Sequence, residues 1–230
     1  MRFKNLALLL VLLFILLSQA WAKSYSLEKA ELYYKIEPDG LVKAEEKITF
    51  NFSGDFSFAY KDFAQGNWTY GTARVFDITS GTPIELKTDW NKGEFGQRLT
   101  WYYSAHNERK TFKIEYTVSR AVKAYSDVGE FYWKVWEEGW DNSLGEIIGY
   151  IELPGTVNDA KEVFSWGHPE LNGKIGLLEN KKLLFQAFNI PANQWVEIRI
   201  AFPRYLLSST KNAAEIGSPG LQKIIEEEKA

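Results

Sequence analysis

The sequence predicts an all-β fold, an antiparallel β-sandwich, and three observations lead to that prediction. Apolar and polar residues alternate with a period of two along many short segments, which is the pattern of half-buried strands. Gly, Asn, Asp and Pro, the residues that favour turns, separate these segments. No segment before residue 205 keeps a 3.6-residue apolar period for three turns, as a surface helix would. A closed barrel is the alternative that the pattern leaves open.

The first two strands are predicted to form a hairpin. Leu32, Tyr34 and Ile36 alternate with polar neighbours, and a Pro-Asp-Gly turn follows at residues 38–40. The next segment alternates again with one exception, because Glu46 falls among the apolar positions. Two alternating segments joined by a tight turn indicate an antiparallel pair.

The later strands follow the same rule. Residues 111–118 alternate without error, and residues 195–202 repeat the pattern. Shorter candidate strands are residues 56–61, 68–79, 99–103, 128–136, 147–153, 161–166 and 182–188. We expect one continuous β-domain over residues 23–205, and the alternative is a seam near residues 140–145 that divides it in two.

The N-terminal segment has the form of a secretory signal peptide. Arg2 and Lys4 precede an unbroken apolar run over residues 6–17, and Ala-Trp-Ala at residues 20–22 is a small-x-small cleavage site. We therefore predict cleavage after Ala22 and an extracytoplasmic location for the remaining chain. An uncleaved N-terminal anchor is the alternative, although the apolar run is short for a membrane span.

The C-terminal segment, residues 206–230, differs in composition from the strands before it. Ser, Ala and Gly are frequent up to Gly220, and charged residues follow in the last ten positions. This composition predicts a linker that leads away from the domain and ends in a short helix.

Composition excludes several classes of function. The chain has no cysteine, which excludes disulfides, thiol catalysis and cysteine-based metal sites. Without residues 1–22, 25 basic residues remain against 30 acidic residues, and the net charge of −5 argues against nucleic acid as a partner. After residue 22, no apolar run has the length of a membrane-spanning helix.

Several stretches, in this order and spacing, resemble one protein family. They are the alternating segment 39–56 from Asp-Gly to Gly-x-Phe, the Ala-Val and Asp-Val-Gly-Glu-Phe-Tyr-Trp-Lys runs within 121–134, Leu153-Pro154, Gly167-His168 and Phe202-Pro203. They resemble the N-terminal extracytoplasmic domain of an uncharacterised family of bacterial and archaeal membrane proteins, a domain of unknown function. The resemblance implies membrane helices after the domain, whereas this sequence stops after the linker. The family has no assigned catalytic residues, so the resemblance assigns none to this sequence.

The most unusual segment, residues 131–141, is rich in aromatic and acidic residues. As a strand it places Tyr132 and Trp136 on the face opposite Phe131 and Trp133. Exposed rings beside carboxylates suit a sugar or a protein partner, whereas burial of both faces between sheets is the structural alternative. The candidate ligand- or partner-binding residues are Tyr132, Trp136, Glu138, Trp140 and Asp141.

The remaining residues provide no recognisable catalytic, metal or cofactor set. His106 and His168 are isolated and lack the spacing of zinc ligands. Asn51 and Asn67 fit the acceptor pattern for N-glycosylation. A polysaccharide hydrolase would need two facing carboxylates, for which the candidates are Asp127, Glu130, Glu137, Glu138 and Asp141.

The function predicted from the sequence is a non-catalytic, envelope-associated interaction module. Its expected partner is an envelope or membrane protein. A carbohydrate-binding module that acts on cell-surface glycan is the first alternative, and a polysaccharide hydrolase is the second. We expect no metal and no cofactor, and the sequence leaves the oligomeric state open.

Overall fold

The computed structural model describes residues 23–94 and 96–229. The first nine strands are β1 Ser24–Ile36, β2 Val42–Ser53, β3 Asp55–Ala64, β4 Thr69–Tyr70, β5 Arg74–Asp77, β6 Ile84–Glu85, β7 Thr88–Lys92, β8 Gly96–His106 and β9 Arg109–Ser119. The next are β10 Val122–Ala124, β11 Val128–Trp136, β12 Leu144–Glu152, β13 Phe164–His168, β14 Gly173–Glu179, β15 Lys182–Ile190, β16 Val196–Pro203 and β17 Ala214–Glu215. Helix α1 is Leu221–Glu227, and short 3-10 helices lie at Ala160–Glu162 and Arg204–Leu206. The predicted signal peptide lies outside the described residues.

The strands form three sheets. The large sheet has the order β14-β15-β12-β1-β2-β9-β5-β6, with β4 beside β9. The second sheet is β13-β16-β11-β10-β17, and the third is β3-β8-β7. Neighbouring strands are antiparallel apart from the parallel pairs β1–β12 and β10–β17. The prediction of an all-β fold is confirmed, and the parallel pairs are a feature that residue alternation does not reveal.

The core lies between the large sheet and the two smaller sheets. The ring of Tyr34 on β1 lies 6.0 Å from that of Phe131 on β11, in the five-stranded sheet. The ring of Phe112 on β9 lies 5.7 Å from that of Trp101 on β8, in the three-stranded sheet. One cluster of buried side chains joins all three sheets. Strand β1 pairs with β12 across residues 140–145.

The predicted hairpin is present as β1 and β2. Leu32, Tyr34 and Ile36 are buried, and the turn closes through a hydrogen bond from the Leu41 N–H to Asp39 Oδ1 at 3.1 Å. Other predicted strands differ in detail. Residues 68–79 divide into β4 and β5, and residues 161–166 begin in a 3-10 helix before β13.

The β2–β9 ribbon bends over to form the three-stranded sheet. β2 continues into β3 at Gly54, and β8 continues into β9 at Asn107. Gly54 has φ +93° and Asn107 has φ +48°, conformations that Gly and Asn adopt more readily than other residues. The Gly54 N–H donates to Asn107 Oδ1 at 2.7 Å. The bend therefore folds β3 over β2 and brings their inward side chains together.

The C-terminal segment does not lead away from the domain, so that prediction was wrong, although its short helix is present. Ala214–Glu215 pairs with β10, and Ile224 of α1 is buried against Tyr125 and Val128. The N–H of Gly220, just before α1, donates to Asp127 Oδ1 at 2.7 Å. The Ser-, Ala- and Gly-rich composition predicted a linker, because only a few apolar residues of this segment pack against the domain.

A buried arginine holds α1 against the five-stranded sheet. Arg199 Nε lies 2.6 Å from Glu130 Oε1, and its Nη atoms lie 2.6 Å from Glu227 and 3.0 Å from Glu228. Arg199 and Glu130 are both buried. His168 Nε2 adds a contact of 2.9 Å to Glu228. The charged residues of the tail therefore complete a buried ionic network.

Arg199→Gln is expected to lower the free energy of unfolding by about 3 kcal/mol, because the buried Glu130 loses its main cationic partner. Denaturation with urea, followed by tryptophan fluorescence, measures this loss. The control is Arg109→Gln, whose exposed pair with Glu28 should contribute less than about 1 kcal/mol. Equal losses in the two variants would contradict the account.

Candidate functional site

A cleft of about 240 Å³ lies between strand β3 and the segment 137–141 that follows β11. Seven consecutive β3 residues, 56–62, line one wall. Within the described residues β3 pairs only with β8, so its other edge carries backbone N–H and C=O groups without strand partners. Side chains on both faces of a strand can line one cleft only when the strand's edge borders that cleft.

Aromatic rings form the apolar part of the cleft. Phe52 packs against Phe56 with ring centroids 4.6 Å apart, and Tyr25 meets Phe56 edge-on at 6.2 Å. Trp140, on the opposite wall, lies 6.1 Å from Phe50. Such rings offer large contact areas at little conformational cost, which suits a binding surface.

A buried polar cluster lies beside the cleft. Tyr34 Oη and Tyr116 Oη donate to Glu46 Oε1 at 3.0 and 2.6 Å. Lys61 Nζ lies 2.8 Å from Glu46 Oε2, and the side chains of Lys61 and Glu46 are only 7% and 1% exposed. The bend at Gly54 explains why Glu46 and Lys61 lie close together. Glu46 is eight positions before the bend and Lys61 seven after it, so folding β3 over β2 brings them to the same level.

Hydrogen bonding in this cluster is incomplete among the described residues. The contact between Lys61 and Glu46 is an ion pair by distance, but its angles are not those of a hydrogen bond, and Glu46 Oε2 accepts none. Burial keeps the pKa of Tyr34 and of Tyr116 well above the usual value, so both hydroxyls stay protonated donors. Lys61 lines the cleft and retains N–H donors for a further acceptor.

Glu137 is the most perturbed acid of the cleft. Burial raises its pKa to about 7, against the attraction of Lys61 and Lys134, while Glu138 and Glu46 raise it further. Its side chain is 14% exposed, and Lys134 Nζ lies 3.8 Å from Glu137 Oε2 but only 2.8 Å from Glu138 Oε2. Glu138 therefore takes the closer cation, and Glu137 is only weakly compensated.

Acidic charge predominates in the cleft once the internal ion pairs are formed. Arg98 binds Asp62 through two hydrogen bonds of 2.6 and 2.7 Å, so those two charges compensate each other. Among residues 23–94 and 96–229, Glu94 and Asp141 of the cleft form no ion pair, and the Lys23 ammonium lies over the ring of Phe56. The remaining field favours a positively charged ligand.

Three of the five residues predicted from the sequence lie together in this cleft. Glu138, Trp140 and Asp141 line its wall. Trp136 does not, because it is 1% exposed and stacks on Trp140 at a centroid distance of 4.8 Å. Its predicted exposure was wrong, since a register shift between Lys134 and Trp136 turns the ring into the core.

Tyr132, the fifth predicted residue, is exposed on another surface. Its hydroxyl donates to Glu197 Oε2 at 2.9 Å, and the Arg199 guanidinium lies 5.0 Å from its ring. Since Trp136 is buried, Tyr132, Trp136 and Trp140 do not form one exposed aromatic platform. The predicted glycan-binding arrangement on these three rings is therefore absent.

Other residues singled out from the sequence are dispersed. Asp127 accepts a hydrogen bond from the C-terminal segment and Glu130 pairs with Arg199, both outside the cleft. His106 contacts Asp55, far along the chain from the contact between His168 and Glu228. Within the described residues, no group of three or more His, Cys, Asp or Glu side chains is arranged to hold a metal ion. The glycosylation candidates Asn51 and Asn67 are both exposed.

Sequence reasoning missed the β3 side of the cleft. Lys61, Arg98, Tyr25 and Phe56 were not among the candidate residues. One signal was available, because Glu46 broke an otherwise apolar face of β2 and thereby indicated a buried polar partner. Its identity depended on the bend at Gly54, which alternation alone does not specify.

The fold is an all-β domain with an aromatic cleft at a sheet edge. Residues 26–202 match the family described as the N-terminal domain of predicted membrane proteins, DUF2207, and the chain belongs to that family. A search of curated proteins gave no match. Among the residues described by the structure, no helix has the length and apolarity needed to cross a bilayer.

Some solved structures are weakly similar to the chain. An M1 zinc metallopeptidase from Deinococcus radiodurans is 7% identical, with a TM-score of 0.44 over 76% of this chain and 42% of that protein. Leukotriene A4 hydrolase from Saccharomyces cerevisiae is 11% identical, with a TM-score of 0.46 over 77% of this chain and 29% of that protein. The chain thus spans less than half of either protein, and similarity at this level carries no argument about activity.

Lys61→Met is expected to lower the free energy of unfolding by about 3–5 kcal/mol, because Glu46 remains buried without a cation. The double variant Glu46→Gln, Lys61→Met should recover most of this loss in urea denaturation, since Gln still accepts from the two tyrosines. Arg74→Met, which breaks an exposed pair with Glu85, is the control and should cost at most about 1 kcal/mol. A double variant no more stable than Lys61→Met would contradict the pairing.

Glu137→Gln is expected to change the dependence of stability on pH. The folded carboxyl keeps its proton up to about pH 7, whereas the reference value for the unfolded chain is 4.5. Its contribution to stability is therefore complete below about pH 4.5 and is lost as the pH rises through 7. At about pH 8 the free energy of unfolding of the variant should exceed that of the wild type by on the order of 2 kcal/mol. At about pH 4 the two proteins should differ little in stability. Parallel stability curves would contradict the raised pKa.

Proposed function

We propose that this domain is a non-catalytic, extracytoplasmic binding module that holds an extended segment of a partner protein along the edge of β3. One observation carries the proposal: seven consecutive residues of an edge strand line an aromatic cleft. An extended peptide that adds a strand to a sheet edge gains main-chain hydrogen bonds, while pockets for alternate side chains provide selectivity.

The edge of β3 has features that restrict indiscriminate pairing. A register shift lies between Phe56 and Phe58, and the charged side chain of Lys61 points inward. Bulges and inward charges are devices by which proteins prevent edge-to-edge aggregation. The facing wall at residues 137–141 limits access further, because an added strand has to enter the cleft to reach the edge. These features support a selected partner.

The partner is an envelope or membrane protein. Membership of a family of predicted membrane proteins supports this choice, together with the predicted leader at residues 1–22. The mature domain would then lie outside the cytoplasmic membrane and contact proteins anchored there.

Carbohydrate binding is a second candidate, favoured by three exposed rings on β3 and β8. Phe58 and Tyr102 lie opposite each other on β3 and β8, and both rings are exposed, as is that of Tyr60. Arg98 lies 3.8 Å from the ring centroid of Tyr60 and holds it in place. Exposed planar rings can stack on the apolar faces of sugars.

The double variant Phe58→Ala, Tyr60→Ala tests both candidates with little expected cost to folding, because the two rings are exposed. Immobilised full chain is incubated with solubilised native envelope, and retained proteins are identified. The variant is expected to retain at least about tenfold less of the partner than wild type, since it lacks two rings at the cleft. Tyr132→Ala, an exposed aromatic on another sheet, is the control and should retain the partner.

Hydrogen exchange then locates the contact. With the purified partner, amides of residues 56–62 should exchange more slowly, because the added strand pairs with β3. Retention without such protection would contradict strand addition. Retained polysaccharide that is lost in the double variant would favour the carbohydrate function instead.

A further inference from the structure

The charges in the cleft indicate which side chain the partner presents there. The Arg98–Asp62 and Lys134–Glu138 pairs are internally compensated. Glu137 remains weakly compensated, and within the described ranges Asp141 has no ion pair. Aromatic rings beside these acids add a surface that attracts cations through their faces. An anionic group would instead meet two acids in a partly desolvated space.

A second observation points independently to a bound group. The Lys61 side chain is 93% buried, lines the cleft and donates no hydrogen bond to any residue that the structure describes, although Glu46 neutralises its charge at 2.8 Å. Its remaining N–H donors can bind an acceptor oxygen in the cleft. A peptide carbonyl of a bound segment provides one without adding a negative charge.

We propose that the cleft is a specificity pocket for a lysine or arginine side chain of the partner segment, an inference that rests on the proposed function. The cation lies against Glu137 and Asp141, and its aliphatic stem lies along Trp140 and Phe56. A carbonyl oxygen of the same segment accepts from Lys61. Because the Lys61–Glu46 ion pair has no net charge, Lys61 does not repel the incoming cation, and the acids of the cleft bind it.

Binding of the cation is linked to loss of a proton from Glu137. The charged groups that face Glu137 are Lys61 from β3, Lys134 from β11, Glu46 from β2 and the adjacent Glu138. The phenols of Tyr34 on β1 and Tyr70 on β4 also lie within electrostatic range and stay neutral, because burial raises their pKa. An incoming cation favours the ionised carboxylate, so affinity increases with pH up to about 7 and is constant above it.

The test uses n-butylammonium, a surrogate for the lysine side chain, with 1-pentanol as the uncharged probe of similar length. Carbon-13 NMR of the full chain follows the carboxyl signal of Glu137 during titration with each probe. Butylammonium is expected to lower the pKa of Glu137 by about one unit and to bind about tenfold more weakly at about pH 5 than at about pH 8. Pentanol should leave that pKa unchanged. Glu137→Gln should weaken butylammonium binding by about tenfold and remove its pH dependence, whereas Glu179→Gln, an exposed acid outside the cleft, should not.

Two results would overturn the inference. One is no response of the Glu137 signal to butylammonium up to the high millimolar range. The other is binding that is the same in wild type and Glu137→Gln. Neither result bears on strand addition, which is measured by exchange at residues 56–62. Cation binding without protection of β3 by any partner would instead contradict the proposed function and leave the cation pocket intact.

Discussion

The ion pair between Glu46 and Lys61 is the interaction on which the arrangement of the cleft depends. Removal of two charges from water is costly, and a buried pair offsets that cost only through close contact and further hydrogen bonds. Here Tyr34 and Tyr116 donate to Glu46, while Lys61 approaches it from the opposite layer of the sandwich. The pair therefore selects one position of the three-stranded sheet over the large sheet, which apolar packing alone specifies less strictly.

That position determines what the edge of β3 presents to solvent. With Lys61 held inward, β3 stands beside the segment 137–141, and its open edge becomes the wall of a cleft. Glu137 shares the same partly desolvated environment, which explains its raised pKa. The structural residues and the residues proposed to bind a partner are thus adjacent. Glu46 holds the three-stranded sheet in place, and Glu137, only weakly compensated, faces the cleft.

Alternation in the sequence predicted much of the architecture, because side-chain burial in a sheet follows a period of two. It identified the hairpin β1–β2 and the buried faces of β9, β11 and β16. It failed at Trp136, because a bulge breaks the period of two there. It also failed at residues 206–230, because their attachment to the domain depends on contacts with distant residues such as Arg199. Half of the cleft was also missed, since the bend at Gly54 joins residues that no local pattern relates. Glu46 was the one visible irregularity that indicated it.

Amide hydrogen exchange of Lys61→Met, compared with wild type under native conditions, tests most directly whether the ion pair fixes the three-stranded sheet. The account predicts faster exchange in β3 and β8, with protection retained in β12 and β15, which lie on the far side of β1 from the bend. Loss of the pair would then release one layer before the domain as a whole. Uniform acceleration across all strands, or unchanged protection of β3, would contradict the claim that Glu46 and Lys61 position this sheet.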